Sequence, residues 1–153
     1  MKHLELDKNK IYEYQQNREP YLMIDYASEV VPGKSSKGHK DFKKDEWFFK
    51  VHWKNDPNVP GMLQIEALVQ MAALSILSLP GNKGKVVYLI SANNLKFSKK
   101  ITPDSRLYIE TEIIKFNRGI ATCSGSGFVE EQIACKAEFN LILPEEIKKY
   151  NVK

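Results

Sequence analysis

Along the second half of the chain, hydrophobic and polar residues alternate with a period of two. Leu107, Ile109, Thr111 and Ile113 alternate with Tyr108, Glu110 and Glu112. Ile133, Cys135, Ala137, Phe139, Leu141 and Leu143 recur at every second place near the end. This is the pattern of half-buried antiparallel strands. Val86 to Ile90 is β-branched and apolar, and Tyr21 to Ala27 and Trp47 to Val51 read as further strands. Weak alternation runs through residues 34 to 43. Val30-Val31-Pro32-Gly33, Asn117-Arg118-Gly119 and Glu130-Glu131 carry the turns. Residues 1 to 16 are polar and aromatic, and read as a loosely held arm or a short helix.

One stretch breaks the alternation. From Met62 to Leu79 the chain is apolar nearly all the way round, with Glu66 as its only charge. A helix without a polar face is a buried helix. Gln64, Glu66, Gln70, Ser75 and Ser78 interrupt the run too often for a membrane span. Pro60 before it and Pro80-Gly81 after it punctuate its ends. One buried helix at about 61–79 and a run of strands predict an α+β domain, an antiparallel sheet around a central helix. Its open edges invite a second copy of the chain.

Composition changes this picture little. The 153 residues fit one domain of 17–153 behind an arm of 1–16. A chain of this size buries roughly 70% of its unfolded surface and needs no metal or disulfide to fold. The net charge of +4, from 23 basic and 19 acidic residues, is too weak and scattered for nucleic acid, yet suits an acidic partner. Neither a signal peptide nor a membrane segment is expected, so a cytoplasmic setting is. Cys123 and Cys135 read as ordinary strand residues of a reducing compartment. Histidines at 3, 39 and 52 form no ligand cluster, so neither metal nor other cofactor is expected.

Candidate chemistry concentrates between His52 and Gln70. The sequence places an imidazole at the mouth of a loop, and the loop leads into the N-terminus of the buried helix. A histidine titrates near neutral pH and can move a proton. A helix start offers unpaired N–H groups and a positive dipole end to developing negative charge. A glutamate in an apolar setting has its pKa raised by desolvation and can act as an acid. Structurally, the histidine could simply pack beside Trp53, and Glu66 could bond Gln70 one turn on. Yet no Lys or Arg occurs from Gly61 to Leu79, so the carboxylate is costly unless it has a use.

The pattern H-x4-P-x2-P-G-x4-E-A-x2-Q, at His52, Pro57, Pro60, Gly61, Glu66, Ala67 and Gln70, resembles the active-site signature of the FabZ-type 3-hydroxyacyl-[acyl-carrier-protein] dehydratases. Arg18 to Asp25 is similar to that family's first strand motif, and Val31-Pro32-Gly33-Lys34 to its following turn. Similarity runs over about residues 17 to 143. Val51, Trp53, Lys54 and Asn55 replace the glycines, phenylalanine and proline that usually flank the histidine.

The resemblance implies a hotdog fold and dehydration of (3R)-3-hydroxyacyl thioesters, bound to acyl carrier protein, to trans-2-enoyl thioesters. It implies His52 as base and Glu66 as acid, contributed by opposite subunits of a homodimer, with a trimer of dimers also possible. Pro60, Gly61, Met62 and Gln70 would form the oxyanion and substrate-binding positions. A glutamate rather than an aspartate at 66 implies dehydration without double-bond isomerisation. Lys43, Lys44, Lys99, Lys100 and Arg106 are candidates for a carrier-docking patch. A hotdog acyl-thioester hydrolase and a non-catalytic acyl-binding protein remain as alternatives.

Overall fold

The computed structural model describes residues 2–150, so residues 151–153 of the expected domain lie outside the described residues. Seven strands form one sheet: β1 (Leu4–Leu6), β2 (Tyr26–Val31), β3 (Ser35–Phe42), β4 (Tyr88–Phe97), β5 (Ser105–Asn117), β6 (Ile120–Val129) and β7 (Gln132–Ile142). Their order across the sheet is β1-β2-β3-β5-β6-β7-β4, and every neighbouring pair is antiparallel. The described residues also form four helices: α1 (Lys8–Tyr14), α2 (Phe48–Val51), α3 (Gly61–Leu77) and, after the last strand, α4 (Pro144–Lys148). No helix among the described residues is long and apolar enough to cross a membrane.

The sheet wraps α3, as the apolar run predicts. Thirteen of its 17 residues are buried, from Gln64 to Leu77 with Glu66 excepted. The helix ends two residues earlier than expected, because the Ser78 hydroxyl turns back to the Ser75 carbonyl and the chain departs there. Close approach of sheet and helix depends on Gly38 of β3. A Cβ there would meet the Met71 methyl at 2.7 Å and the Tyr26 carbonyl at 2.0 Å. Beside it, the Ser36 and Ser75 hydroxyls bond each other, and Gly33 N–H donates to the Ser75 carbonyl at 2.8 Å. The core below comprises Phe42, Phe48, Phe139, Leu68, Met71, Leu74 and Ile76, each under 2% exposed. Cys123 and Cys135 are buried and free, their thiols pushed up to about 12 by burial and inert at neutral pH.

One expected strand is absent and another starts late. Trp47 to Val51 contains the helical turn α2, since Phe48 and Phe49 are both buried against the same core. Successive side chains of a strand point to opposite faces; one helical turn sends both rings inward, 4.7 Å apart, with Phe48 edge-on to Phe42. Tyr21 to Asp25 is likewise irregular, and β2 starts only at Tyr26. Leu22, Met23 and Ile24 are all buried in succession, which alternation forbids. The segment expected as a loose arm or short helix holds β1 and α1. β1 pairs with β2, and Ile11 of α1 is fully buried.

Both expected hairpin turns are present as two-residue connections. Asn117 pairs with Ile120, and Val129 with Gln132. Arg118 and Gly119 have φ of 51° and 82°, and Glu130 and Glu131 have 50° and 65°. Such turns match the sheet twist but demand left-handed backbone, which Asn-Gly supplies at least cost. Two glutamates there are strained. Replacing them together (Glu130→Asn, Glu131→Gly) should stabilise the fold by about 1 kcal/mol, read as a rise in denaturant midpoint at constant slope.

Candidate active site

Glu66 stands on the one stripe of α3 that the sheet does not cover. Glu66, Val69, Gln70, Ala73 and Leu77 recur at helical spacing and floor a cleft of about 530 Å³. Tyr21 and residues 85–89 form its walls. Burial raises the Glu66 pKa, opposed by the hydrogen bond from Gln70 and by the nearby Tyr21 side chain. Tyr21 is raised in turn, first by its own burial and then by the Glu66 charge. Desolvation prevails because both neighbours are neutral, and a neutral donor offsets only part of the cost of a buried charge.

Gln70 fixes the carboxylate. Its Nε2 donates to Glu66 Oε1 at 2.9 Å and to the Tyr21 carbonyl at 3.0 Å, and its Oε1 accepts from Met23 N–H at 2.7 Å. Every polar atom of the amide is used, and the i, i+4 spacing legible in the sequence is the geometric reason.

His52 caps the C-terminal end of α2, and its backbone N–H donates to the Phe48 carbonyl at 2.8 Å. Its Nδ1 lies 3.1 Å from the Asn58 carbonyl. A carbonyl accepts only, so Nδ1 carries the hydrogen and Nε2 keeps its lone pair, the tautomer a base needs. After the loop, Pro60 is the N-cap of α3 and no side chain caps the helix. The N–H groups of Gly61 and Met62 therefore open the helix. Gly61 sits close to β4: a Cβ there would lie 3.0 Å from the Phe97 ring, which would have to shift. Met62 is 66% exposed.

The structure thus joins Glu66 with Gln70, and Pro60 with Gly61 and Met62. The two groups sit about one turn apart on α3, Met62 and Glu66 being i and i+4. Neither His52 nor Pro60, Gly61 or Met62 lines the Glu66 cleft.

Residues 16–138 match the model of the FabA-like domain family. A 3-hydroxyacyl-[acyl-carrier-protein] dehydratase FabZ of Clostridium novyi is 38% identical over 130 residues, spanning 81% of this chain and 92% of that protein. The Bacillus subtilis enzyme of the same name is 34% identical, spanning 92% and 99%. The chain belongs to the FabA-like family, among the FabZ dehydratases. The fold agrees. The dehydratase heterocomplex ApeI:P of Xenorhabdus doucetiae superposes with a TM-score of 0.75 at 13% identity, covering 93% of this chain and 97% of that one. A hypothetical thioesterase with coenzyme A from Streptococcus pneumoniae reaches 0.58 at 16% identity, covering 74% and 80%. At these identities the likeness establishes the hotdog fold alone.

In this FabZ-type chain, Tyr21 is the neighbour of Glu66 that sequence reasoning missed, since it was read only as part of a strand. No spacing rule links the two, because the contact is made by a chain segment that lies over α3 rather than by a regular element. The Glu66 environment makes a measurable prediction. A carboxyl whose folded pKa is raised above its unfolded value costs the fold nothing below the unfolded value; the penalty grows as pH rises from the unfolded to the raised value and is complete above it. Glu66→Gln keeps the shape and the bond from Gln70 without a charge. It should be as stable as wild type at low pH and more stable above that range, in denaturant melts across pH. A variant less stable at every pH would mean that the carboxylate supports the fold.

Proposed function

We propose that the chain dehydrates (3R)-3-hydroxyacyl thioesters carried on acyl carrier protein to trans-2-enoyl thioesters, in the synthesis of fatty acids or related acyl chains. The observation that carries the reading is Glu66, a carboxyl biased toward its acid form by burial and held by Gln70 in the lining of a cleft of mixed polar and apolar character. Relatives at 32–38% identity named as this dehydratase support it over the hydrolase alternative.

The residues divide the work as follows. His52 Nε2 removes the proton from C2, and the bonding pair passes into the thioester as an enolate. The enolate oxygen meets the N–H groups of Gly61 and Met62, where the helix dipole is positive. As the pair returns to form the C2–C3 double bond, the C3 hydroxyl leaves with the Glu66 proton as water. His52 then carries one proton more and Glu66 one fewer, and exchange with solvent restores both. Pro60 fixes the start of α3, and Gln70 holds the acid in place.

Two copies complete this site in our reading, with His52 and Glu66 drawn from opposite chains. β4 supports it. Among the described residues the strand ends the sheet without an outer neighbour, and Tyr88, Leu89, Ile90 and Phe97 along it are 40–57% exposed. Pairing with a second β4 would cover that row. Assembly beyond the dimer, into a trimer of dimers, is compatible with this. The carrier protein is acidic in our reading and the enzyme cytoplasmic. Of the basic residues expected to dock it, Lys99 lies 3.9 Å from Glu130, Lys100 pairs with Asp56 at 2.6 Å, and Arg106 grips Asp41 through two bonds. Lys43 and Lys44 are thus the better candidates, since internal carboxylates already screen the other three.

Incubating the purified protein with 3-hydroxyacyl and saturated acyl thioesters separates the readings: water loss marks a dehydratase, thiol release a hydrolase. His52→Ala should lower dehydration at least about a hundredfold while the melting transition stays in place. Near-normal turnover in the folded variant would refute the assignment of the base.

A further inference from the structure

Tyr21 stands beside Glu66 and has no part in the steps above. One nitrogen holds both residues: Gln70 Nε2 donates to Glu66 Oε1 at 2.9 Å and to the Tyr21 carbonyl at 3.0 Å. The Tyr21 backbone is fixed on its other side too, since its N–H donates to the Arg18 carbonyl at 2.9 Å. Both side chains line one cleft. They are close enough to act on each other: the carboxylate raises the phenol's pKa, and the phenol opposes the rise that burial imposes on Glu66. Tyr88 and Lys85 are the other titratable groups in the lining. Lys85 follows Gly84, where the loop before β4 meets the end of α1 through the Gly84 N–H and the Tyr14 carbonyl. Its ammonium is paired with Glu145 at 3.2 Å, and neither it nor Tyr88 acts on Glu66. Gln70 occupies one oxygen of Glu66, whereas a carboxylate offers about four acceptor sites.

The task of an acid makes a second donor useful. When Glu66 gives its proton to the leaving hydroxyl it becomes an anion in a partly buried place, with one neutral bond from Gln70. A hydrogen bond to the charged form lowers the cost of that step. A phenol supplies it while keeping its own proton at neutral pH and bringing no charge. Such bonds are often long in a free enzyme and tighten as the reaction proceeds. We propose that Tyr21 is a positioning residue for the acid, its hydroxyl donating a hydrogen bond to the Glu66 carboxylate as the proton departs for the C3 oxygen. The inference rests on the dehydratase reading for the step it assists, and adds a residue to that site.

The first measurement needs no turnover. Tyr21→Phe removes a hydroxyl from a half-exposed side chain and keeps the ring that walls the cleft, so the fold should persist. Denaturant melts across pH compare the stability gained by Glu66→Gln with and without Tyr21→Phe. All four proteins also carry His52→Ala, because in our reading His52 of a second copy faces Glu66 and would add its own charge. Below the unfolded pKa of the carboxyl the two gains should be equal, since Glu66 is neutral there. At mildly alkaline pH, where Glu66 is ionised and Tyr21 is not, the gain should be about three- to tenfold larger in unfolding equilibrium constant in the Tyr21→Phe background, the scale of one hydrogen bond. Equal gains there, or a difference of the same size at every pH, would overturn the proposal. The second measurement keeps His52. Tyr21→Phe should lower kcat about three- to tenfold with KM within about twofold, as expected of a bond that matters only as charge develops. An unchanged kcat, or a raised KM alone, would overturn it. No water loss from 3-hydroxyacyl thioesters with the unaltered protein would count against the dehydratase reading instead, and the melts would then judge the Tyr21–Glu66 bond alone.

Discussion

Gln70, 2% exposed in the middle of α3, makes three hydrogen bonds with one amide, and the site depends on them. One holds Glu66; the other two hold the Tyr21 carbonyl and the Met23 N–H. The last two bonds replace the ladder partners that this irregular segment lacks, so the chain can pass over α3 without leaving buried backbone groups unpaired. The same bonds put Tyr21 beside Glu66 and form one wall of the cleft. A carboxylate on an otherwise apolar helix is tolerated because this neutral partner orients it without cancelling its desolvation. Orientation and an upward-shifted pKa, both needed of a proton donor, thus follow from a single side chain.

The rest of the fold supplies a rigid cylinder for that arrangement. Strands β2, β3, β5, β6 and β7 pack along α3, with Gly38 and the Ser36–Ser75 pair allowing sheet and helix to touch. What the sheet does not cover is equally informative. The start of β4 walls the Glu66 cleft, while its outer edge and its apolar row face outward. His52 and the α3 start lie outside that cleft. In our account a single chain therefore holds the proposed acid, Glu66, with its cleft, and separately the proposed base, His52, with the open start of α3. A second copy across β4 joins the halves in our account.

Much of this was legible in the sequence, for identifiable reasons. The long helix showed because full burial removes the polar face, and β5 to β7 showed because one sheet face meets the core and the other does not. The Glu66–Gln70 bond followed from helical spacing. Segments that the core bends out of regular structure were misread. Phe48-Phe49 and Leu22-Met23-Ile24 look like strands to any propensity argument, yet each buries consecutive side chains on one side, which only a helical turn or an irregular path allows. Contacts between distant segments left no mark at all. Nothing near Gln15 or Lys85 in sequence points to α3, and the cleft they share with Glu66 exists only through the meeting of α1 with the Gly84 loop.

The central claim is that each active site takes His52 from one chain and Glu66 from another. Mixing two variants, each disabled at one of these positions, tests it directly. His52→Ala and Glu66→Gln would be purified separately, combined in equal amounts, and assayed for dehydration after subunit exchange confirmed by mass. If the site is shared, half of the dimers are mixed and each holds one intact site of two, so activity should return to about a quarter of wild type. Activity that stays at the mean of the two inactive proteins, with exchange complete, would mean that one chain supplies both residues and would contradict the account.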